Sequence, residues 1–281
     1  MKSSNPVFAR SAEFNGRGGA TAANDPSQWQ VDLNGSPSPT HTEPGTGRMT
    51  LDSVVEKTGI TLGVLIAAAA VTWIAIGDLS TYNATESDAY GKAFTFAIVG
   101  AIVGLVLSLV NSFKKVISPA LVLGYAVFEG VFVGAFSKVI AAYVGDTSIV
   151  FQAVVGTMVA FGGTLAAYKF FNIQVTDKFR KVVTISIFAF VGATLLNLVL
   201  SLTGVVDNGG IRGFNTLGLI VSAIAVVLAV FMLILDFDYV EKGVEAGLPQ
   251  RESWRAAFGL TVTLVWLYIE ILRILAILRG D

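Results

Sequence analysis

The chain has 281 residues, of which 54% are hydrophobic and 14% charged, whereas roughly 25% of residues are charged in an average soluble domain. Together with a mean hydropathy of +0.70, this composition excludes an ordinary water-soluble globule. The formal charge of −1, the absence of cysteine and the single histidine, His41, disfavour nucleic-acid binding, thiolate metal centres, haem and serine–histidine catalysis.

Residues 1–47 are rich in Gly, Ser, Pro, Asn and Thr, a composition that predicts a disordered tail. A secretory signal peptide would place an apolar core of roughly 7 to 15 residues close to the start. The tail contains no such core. We therefore expect the first apolar helix to act as the insertion signal.

Residues 48–281 contain seven apolar segments, which predict one transmembrane domain. Each segment has about 20 residues or more, the length that crosses roughly 30 Å of hydrocarbon as a helix. The segments are continuously apolar, whereas strands of a membrane barrel alternate apolar and polar residues. The predicted fold is therefore an all-α bundle of seven transmembrane helices. The predicted helices cover about 59–79, 93–113, 119–144, 149–170, 182–205, 214–240 and 256–278.

The lysines and arginines of the short links predict the orientation, because cytoplasmic links carry an excess of them. The links after helices 2, 4 and 6 hold Lys114, Lys115, Lys169, Lys178, Arg180, Lys181, Lys242, Arg251 and Arg255. The other links hold only Lys92 and Arg212. This division of nine to two predicts a cytoplasmic N-terminal tail and a C-terminus on the outside.

Glycines recur at a spacing of four residues within three of the apolar segments. Such pairs allow helix backbones to approach closely in a membrane. We therefore interpret them as packing positions in a compact bundle. The pairs are Gly59 with Gly63, Gly100 with Gly104, and Gly130 with Gly134.

Four acidic residues, Glu129, Asp236, Asp238 and Glu270, lie in or beside the apolar segments. A charged residue at the centre of a membrane helix costs roughly 2.5 to 3.5 kcal/mol on insertion scales, so each needs a partner or a function. Asp236 and Asp238 are separated by about 200° on a helix, so they cannot face one pocket together. Asp236 follows an unbroken apolar run, and we expect it to face inward and Asp238 to face water.

Asp236 of helix 6 and Glu270 of helix 7 are the candidate gating and ion-binding pair. If they met away from water, both could not stay charged, so they would share a proton or bind a hard cation such as Ca²⁺. Their spacing from the turn signals at Gly247 and Pro249 leaves a height difference of about 7 to 15 Å, so contact remains open. Alternatively, Glu270 forms a local ion pair with Arg273.

The last two segments, LILDFDYV and LYIEILRIL, together with EGVFVG of helix 3, resemble the transmembrane Bax inhibitor motif family. The resemblance covers about residues 55–281. It implies a central helix 7 wrapped by six others and a pH-sensitive calcium leak gated by an acidic pair. Asp236 matches the aspartate of helix 6 in that family, and Glu270 stands where helix 7 carries an aspartate.

The helix 2 arginine that clamps the acidic pair in this family has no arginine counterpart here. Lys114 is the nearest candidate, although a lysine is a point charge and not a bidentate fork. Arg273 is the alternative clamp. Glu129 and Asp238 complete the set of supporting residues.

Two functions fit these features, and the resemblance favours a pH-sensitive cation leak in which Ca²⁺ is the transported ion and no cofactor is bound. The alternative is a non-conducting adaptor that modulates membrane proteases or stress and cell-death responses.

An enzyme is not expected, because no paired-aspartate or HExxH motif is present. Nor does helix 7 carry a lysine for a retinal Schiff base, the only lysine inside a helix being Lys138. The predicted location is a bacterial cell membrane, with the lipid bilayer as the main partner.

Overall fold

The structure, a computed structural model, describes residues 47–79, 84–171, 173–207 and 209–280, the side chains of 84–87 excepted. The predicted disordered tail, apart from Gly47, lies outside these residues. Seven α-helices form the described part of the chain, and no strand is found within it. The helices are α1 Leu51–Ile76, α2 Ala84–Phe113, α3 Pro119–Val144, α4 Ser148–Phe170, α5 Asp177–Leu202, α6 Thr216–Glu245 and α7 Glu252–Arg279.

All seven helices are long and apolar enough to cross a membrane, which confirms the predicted number. Several helices begin before their apolar segment does, as α1 shows. Its cap, Thr50, accepts a hydrogen bond from the Ser53 backbone N–H, and the polar first turns continue the helix outside the apolar run. Apolar segments mark the part of a helix that crosses hydrocarbon, whereas caps determine where the helix begins.

α7 is the most buried helix. Of its most apolar 18-residue window, 67% is buried, against 44% for α3 and 33% or less for the other helices. α7 packs against α1, α3, α4 and α6, while α3 packs against α1, α2 and α4. α5 is the most peripheral helix, with 11% of its most apolar window buried. It packs mainly against α6 and a short 3₁₀ turn, Gly210–Arg212, and the Phe190 ring contacts Trp266 of α7.

Two of the three predicted glycine pairs lie at close helix contacts. A Cβ atom added at Gly130 or Gly134 would stand 2.3 Å from the Leu65 carbonyl oxygen or 2.4 Å from that of Ala69, both in α1. A Cβ atom added at Gly100 would meet the α3 backbone in the same way, 2.6 Å from the Phe132 nitrogen, whereas Gly104 faces the carboxylate of Glu129 in α3. The Gly59 and Gly63 pair faces open space instead, so the prediction that this pair packs is wrong in the described structure. Its two glycines lie on an outer surface of α1.

The segment before α1 is fastened to the turn between α6 and α7. The Met49 backbone N–H donates to the Leu248 carbonyl at 2.7 Å, and the Gln250 N–H donates to the Gly47 carbonyl at 2.7 Å. The hydroxyls of Ser53 and Ser253 lie 2.6 Å apart. The start of α1 and the α6–α7 turn therefore lie at the same end of the bundle.

Candidate functional site

Glu270 lies inside the bundle with 1% of its surface exposed, and Arg212 holds its carboxylate from the link between α5 and α6. The Arg212 Nη2 donates to Oε1 at 2.7 Å, and Nη1 donates to Oε2 at 3.1 Å. This two-pronged pairing is the strongest geometry available to an arginine and a carboxylate. The predicted gating carboxylate is therefore neutralised by a residue that lies outside every long helix.

Arg273, the predicted local partner of Glu270, contributes a longer contact of 3.9 Å from Nε to Oε2. Its Nη2 donates instead to the backbone carbonyl of Arg212 at 2.6 Å, and its Nε reaches the Ser222 hydroxyl at 3.4 Å. Its guanidinium also lies over the Phe214 ring, 5.1 Å from the ring centre. Arg273 thus fixes the backbone that carries Arg212 and contacts Glu270 only secondarily.

A glycine-rich turn brings Arg212 into the bundle. Gly209 and Gly210 have φ values of +76° and +57°, a region that side chains other than glycine rarely adopt. The Asn197 amide donates to the Gly209 carbonyl at 3.0 Å, and the Ile211 N–H donates to the Asn197 side-chain oxygen at 3.0 Å. These contacts fold the link back onto α5, so that Arg212 points at α7.

The sequence did not predict Arg212 as a site residue, because Arg212 was counted only as a positive charge in one of the links predicted to lie outside. The signal was nevertheless present. An arginine set among Gly209, Gly210 and Gly213 stands in a segment that can turn sharply, while Glu270 in an apolar helix needs a cation.

Asp236 contacts α7 at Thr263 and not at Glu270. The Thr263 hydroxyl donates to the Asp236 carboxylate at 2.7 Å and also lies 3.2 Å from the Gly259 carbonyl. Asp236 is half-buried, whereas Thr263 is 1% exposed. The Asp236 side chain therefore faces inward, as predicted, but toward a neutral donor.

The proton-sharing pair expected of Asp236 and Glu270 is not formed. Glu270 follows Thr263 by seven positions, which is about 10 Å along a helix. Among the described residues, no hydrogen bond joins the Asp236 and Glu270 carboxylates. The height difference between Asp236 and Glu270 that the position of the α6–α7 turn predicts is kept, because α6 and α7 are regular helices on both sides of that turn.

Asp238 faces a salt bridge and not water, so this expectation is wrong. The residue is 4% exposed. Its carboxylate accepts from Arg180 Nη2 at 2.7 Å and lies 2.7 Å from Lys242 Nζ. The first turns of α5 bring Arg180 across from another helix, and a polar stretch such as YVEKG gives no sign of that neighbour.

Glu129 and Lys114 do not join the acidic residues of α6 and α7. The Glu129 carboxylate lies against α2, where a Cβ atom added at Gly104 would stand 2.8 Å from it. Lys114 is exposed, and its backbone carbonyl accepts from Arg255 Nη2 at 3.4 Å. Arg255 and Glu270 are about 22 Å apart along α7, so Lys114 lies far from Glu270, whose carboxylate pairs with Arg212 instead.

The structure provides no ready-made cation cage in its described part, where no three His, Asp or Glu side chains converge. The carboxylate oxygens of Glu270 are engaged by Arg212, and Asp236 stands apart from them.

The seven apolar helices define an integral, multi-pass helical membrane protein. Comparison with protein families matches residues 5–280 to the family described as Bax inhibitor 1 like. The chain belongs to this family. The match begins at residue 5, so it includes nearly all of the tail that the sequence resemblance left out. A comparison with curated proteins gave no significant match.

Proposed function

We propose that this protein is a pH-sensitive cation leak of a bacterial cell membrane, with Ca²⁺ as the transported ion. The observation that carries the proposal is the burial of Glu270 in α7 and its two-pronged pairing with Arg212 of the α5–α6 link. An ionisable residue inside a membrane bundle marks an ion or proton pathway in many proteins. The choice of Ca²⁺ rests on the family resemblance.

In this proposal the Arg212–Glu270 ion pair closes the pathway, and loss of the charge on Glu270 releases the link. A proton on the Glu270 carboxylate removes the attraction that holds Arg212 in place. The link then leaves α7 and takes its 3₁₀ turn with it. Acid thus opens the leak, because the closing contact requires a charged carboxylate.

Asp236 provides an acidic ion site on the seam between α6 and α7. It stands about two helical turns from Glu270 and contacts α7 through Thr263. A single carboxylate offers a weak site, which favours conduction over tight binding. The proposal therefore replaces one shared proton by a gate at Glu270 and a separate ion site at Asp236.

We also propose that α7 is the central helix and that the N-terminus is cytoplasmic. The burial of α7 supports the first point, and the distribution of lysine and arginine supports the second. In this orientation, Asp236 lies in the cytoplasmic half of the seam and Glu270 in the outer half. The activity requires neither a cofactor nor a catalytic residue.

A non-conducting adaptor is the second candidate. The pairing of Asp238 with Arg180 and Lys242, like that of Glu270 with Arg212, also suits groups that only fix helix packing. In that case the partner is another membrane protein, such as a protease or a stress-response protein.

Reconstitution into liposomes that enclose a calcium dye tests the proposal. We expect Ca²⁺ entry that rises as the pH is lowered. Glu270→Gln should admit Ca²⁺ already at neutral pH, since its side chain carries no charge. Asp236→Asn should lower the flux at every pH while leaving a pH dependence, because it removes the ion site and keeps Glu270, the gate.

The control variant is Asp88→Asn, which alters the exposed pair between Asp88 and Lys92 at the start of α2. It should behave like the unmodified protein. Absence of flux at every pH would reject the leak and favour the adaptor, and an unchanged pH profile in Glu270→Gln would reject the proposed closing contact.

A further inference from the structure

A cavity of about 300 Å³ lies between α1, α3 and α4, with α7 as its floor. Known ligand pockets begin at roughly this size. The α7 residues of the floor are Leu264, Val265 and Tyr268, which lie between Thr263 and Glu270 in the sequence. Neither Asp236 nor Glu270 lines the cavity, but its floor is α7, the helix that carries Glu270.

The walls of the cavity offer almost nothing polar to a ligand. The hydroxyls of Ser137 and Tyr268 lie 2.6 Å apart and bond to each other. The Thr157 hydroxyl donates to the Ala153 carbonyl of its own helix at 2.8 Å. These polar side chains are thus satisfied within the protein, so the space suits a hydrocarbon and not water.

The cavity opens sideways between α1 and α4. These two helices do not pack against each other anywhere in the described structure. Ile66 of α1, which is 59% exposed, and Met158 of α4, which is 45% exposed, both line the cavity. Both residues stand near the middle of their helices. In a bilayer, the opening therefore faces the hydrocarbon layer and not the headgroups or water.

We propose that this cavity binds one acyl chain of a membrane phospholipid, which enters between α1 and α4 and lies against α7. Lys138 stands beside the cavity residue Trp73, where its Nζ donates to the Trp73 carbonyl at 2.7 Å and lies over the ring. An ammonium carries three donors. One goes to the Trp73 carbonyl, and the charge of Asp78 also acts on the ammonium; its position near one end of the cavity suits the phosphate of the same lipid. The binding does not depend on the proposed leak.

Trp73 allows the site to be tested by fluorescence. Replacing Trp29, Trp254 and Trp266 with Phe leaves Trp73 as the single tryptophan of the chain. This variant is purified in detergent and titrated with a phospholipid whose acyl chains carry bromine, a contact quencher. We expect quenching that saturates at low lipid content, and native mass spectrometry should show one retained lipid per chain.

Filling the opening should abolish both signals. In Ala70→Phe a ring occupies the α1 side of the cavity, whereas Ala67→Phe, the matched control, places a ring on an exposed position that does not line it. Val154→Phe and Val159→Phe form a second pair on α4, the first lining the cavity and the second not. This second pair keeps the test decisive if Ala70→Phe does not fold.

Three results would overturn the proposal. Quenching that rises in proportion to lipid without saturating would indicate bulk contact alone. Equal quenching in Ala70→Phe and Ala67→Phe, or in both α4 variants, would place the lipid elsewhere. A parallel titration with a brominated free fatty acid distinguishes the source, since saturation with the fatty acid but not with the phospholipid would contradict the assignment.

Discussion

Arg212 and Glu270 lie 58 residues apart in the sequence and form a two-pronged ion pair in the interior of the bundle. The glutamate belongs to the most buried helix, and the arginine to a link whose turn is held by Asn197. The pair thus joins the α5–α6 link to the core of the bundle. In the proposed function, loss of the charge on Glu270 separates the two residues.

Replacing Arg212 with Gln should destabilise the protein by about 3 kcal/mol. Removal of one partner from a buried pair costs roughly 3 to 5 kcal/mol because the other charge stays buried. Arg273, whose Nε lies 3.9 Å from Glu270, compensates in part, which places the effect at the lower end. Denaturant unfolding in detergent measures it.

The double variant Arg212→Gln with Glu270→Gln should recover part of that loss, because the buried Glu270 charge is removed together with its main partner, while Arg273 loses its carboxylate contact. Lys92→Gln is the control, as its exposed pair with Asp88 is worth at most about 1 kcal/mol. If the double variant lost as much unfolding free energy as the two single variants together, Arg212 and Glu270 would act independently, contrary to this prediction.

Gly134→Ala should weaken the contact between α3 and α1. The added methyl group would meet the Ala69 carbonyl at 2.4 Å, and a backbone atom can yield only if the helices separate. Overpacking of this kind costs about 1 to 3 kcal/mol. Gly63→Ala faces open space and should stabilise α1 by roughly 0.5 to 1 kcal/mol. If Gly134→Ala and Gly63→Ala shifted the unfolding midpoint in the same direction, the close packing of α3 against α1 at Gly134 would be refuted.

Asp238→Asn should loosen the first turns of α5. The Asp238 carboxylate is the buried partner of Arg180, and hydrogen bonds to charged groups contribute about 1.5 to 3 kcal/mol. α5 has few other neighbours, so faster amide hydrogen exchange is expected near residue 180. Glu245→Gln changes an exposed acid at the same end of α6 and should leave that exchange unaltered.

We expect the contact between Asp146 and Arg279 to break, and the end of α7 to loosen, only in strong acid. Hydrogen bonds from the Ser148 hydroxyl and backbone N–H, followed by the charge of Arg279, hold the pKa of Asp146 below its ordinary value of 3.8. A lowered pKa stabilises the fold above that ordinary value, and the contribution is lost as the pH falls through the lowered pKa. Hydrogen exchange in the last turn of α7 should therefore rise only as the pH falls through the lowered pKa of Asp146, and Asp146→Asn should abolish this rise.

Much of the fold could be predicted because hydrophobic length is a local property. An apolar run such as LGLIVSAIAVVLAVFMLIL marks a membrane helix whatever its neighbours. The Gly130–Gly134 contact also followed from spacing. The exposure of Gly59 and Gly63 did not, since spacing alone does not show which face of a helix meets a partner.

The candidate site could be predicted only in part. The buried position of Glu270 follows from the apolar residues around it, but its partner depends on how a thirteen-residue link, 203–215, folds back. The contact of Asp236 with Thr263 likewise depends on the register of α6 against α7. A resemblance carried over residue by residue did not reveal that register.

The distance between the α5–α6 link and α7 tests the closing contact most directly. The chain has no cysteine, so Val205→Cys and Leu278→Cys, both at exposed positions, accept spin labels without background. Pulsed electron paramagnetic resonance in liposomes should give one narrow distance between the labels at neutral pH and a longer, broader distribution in acid. Glu270→Gln should show the acid distribution already at neutral pH. An identical distribution in acid, at neutral pH and in Glu270→Gln would contradict the proposal that this ion pair closes the pathway.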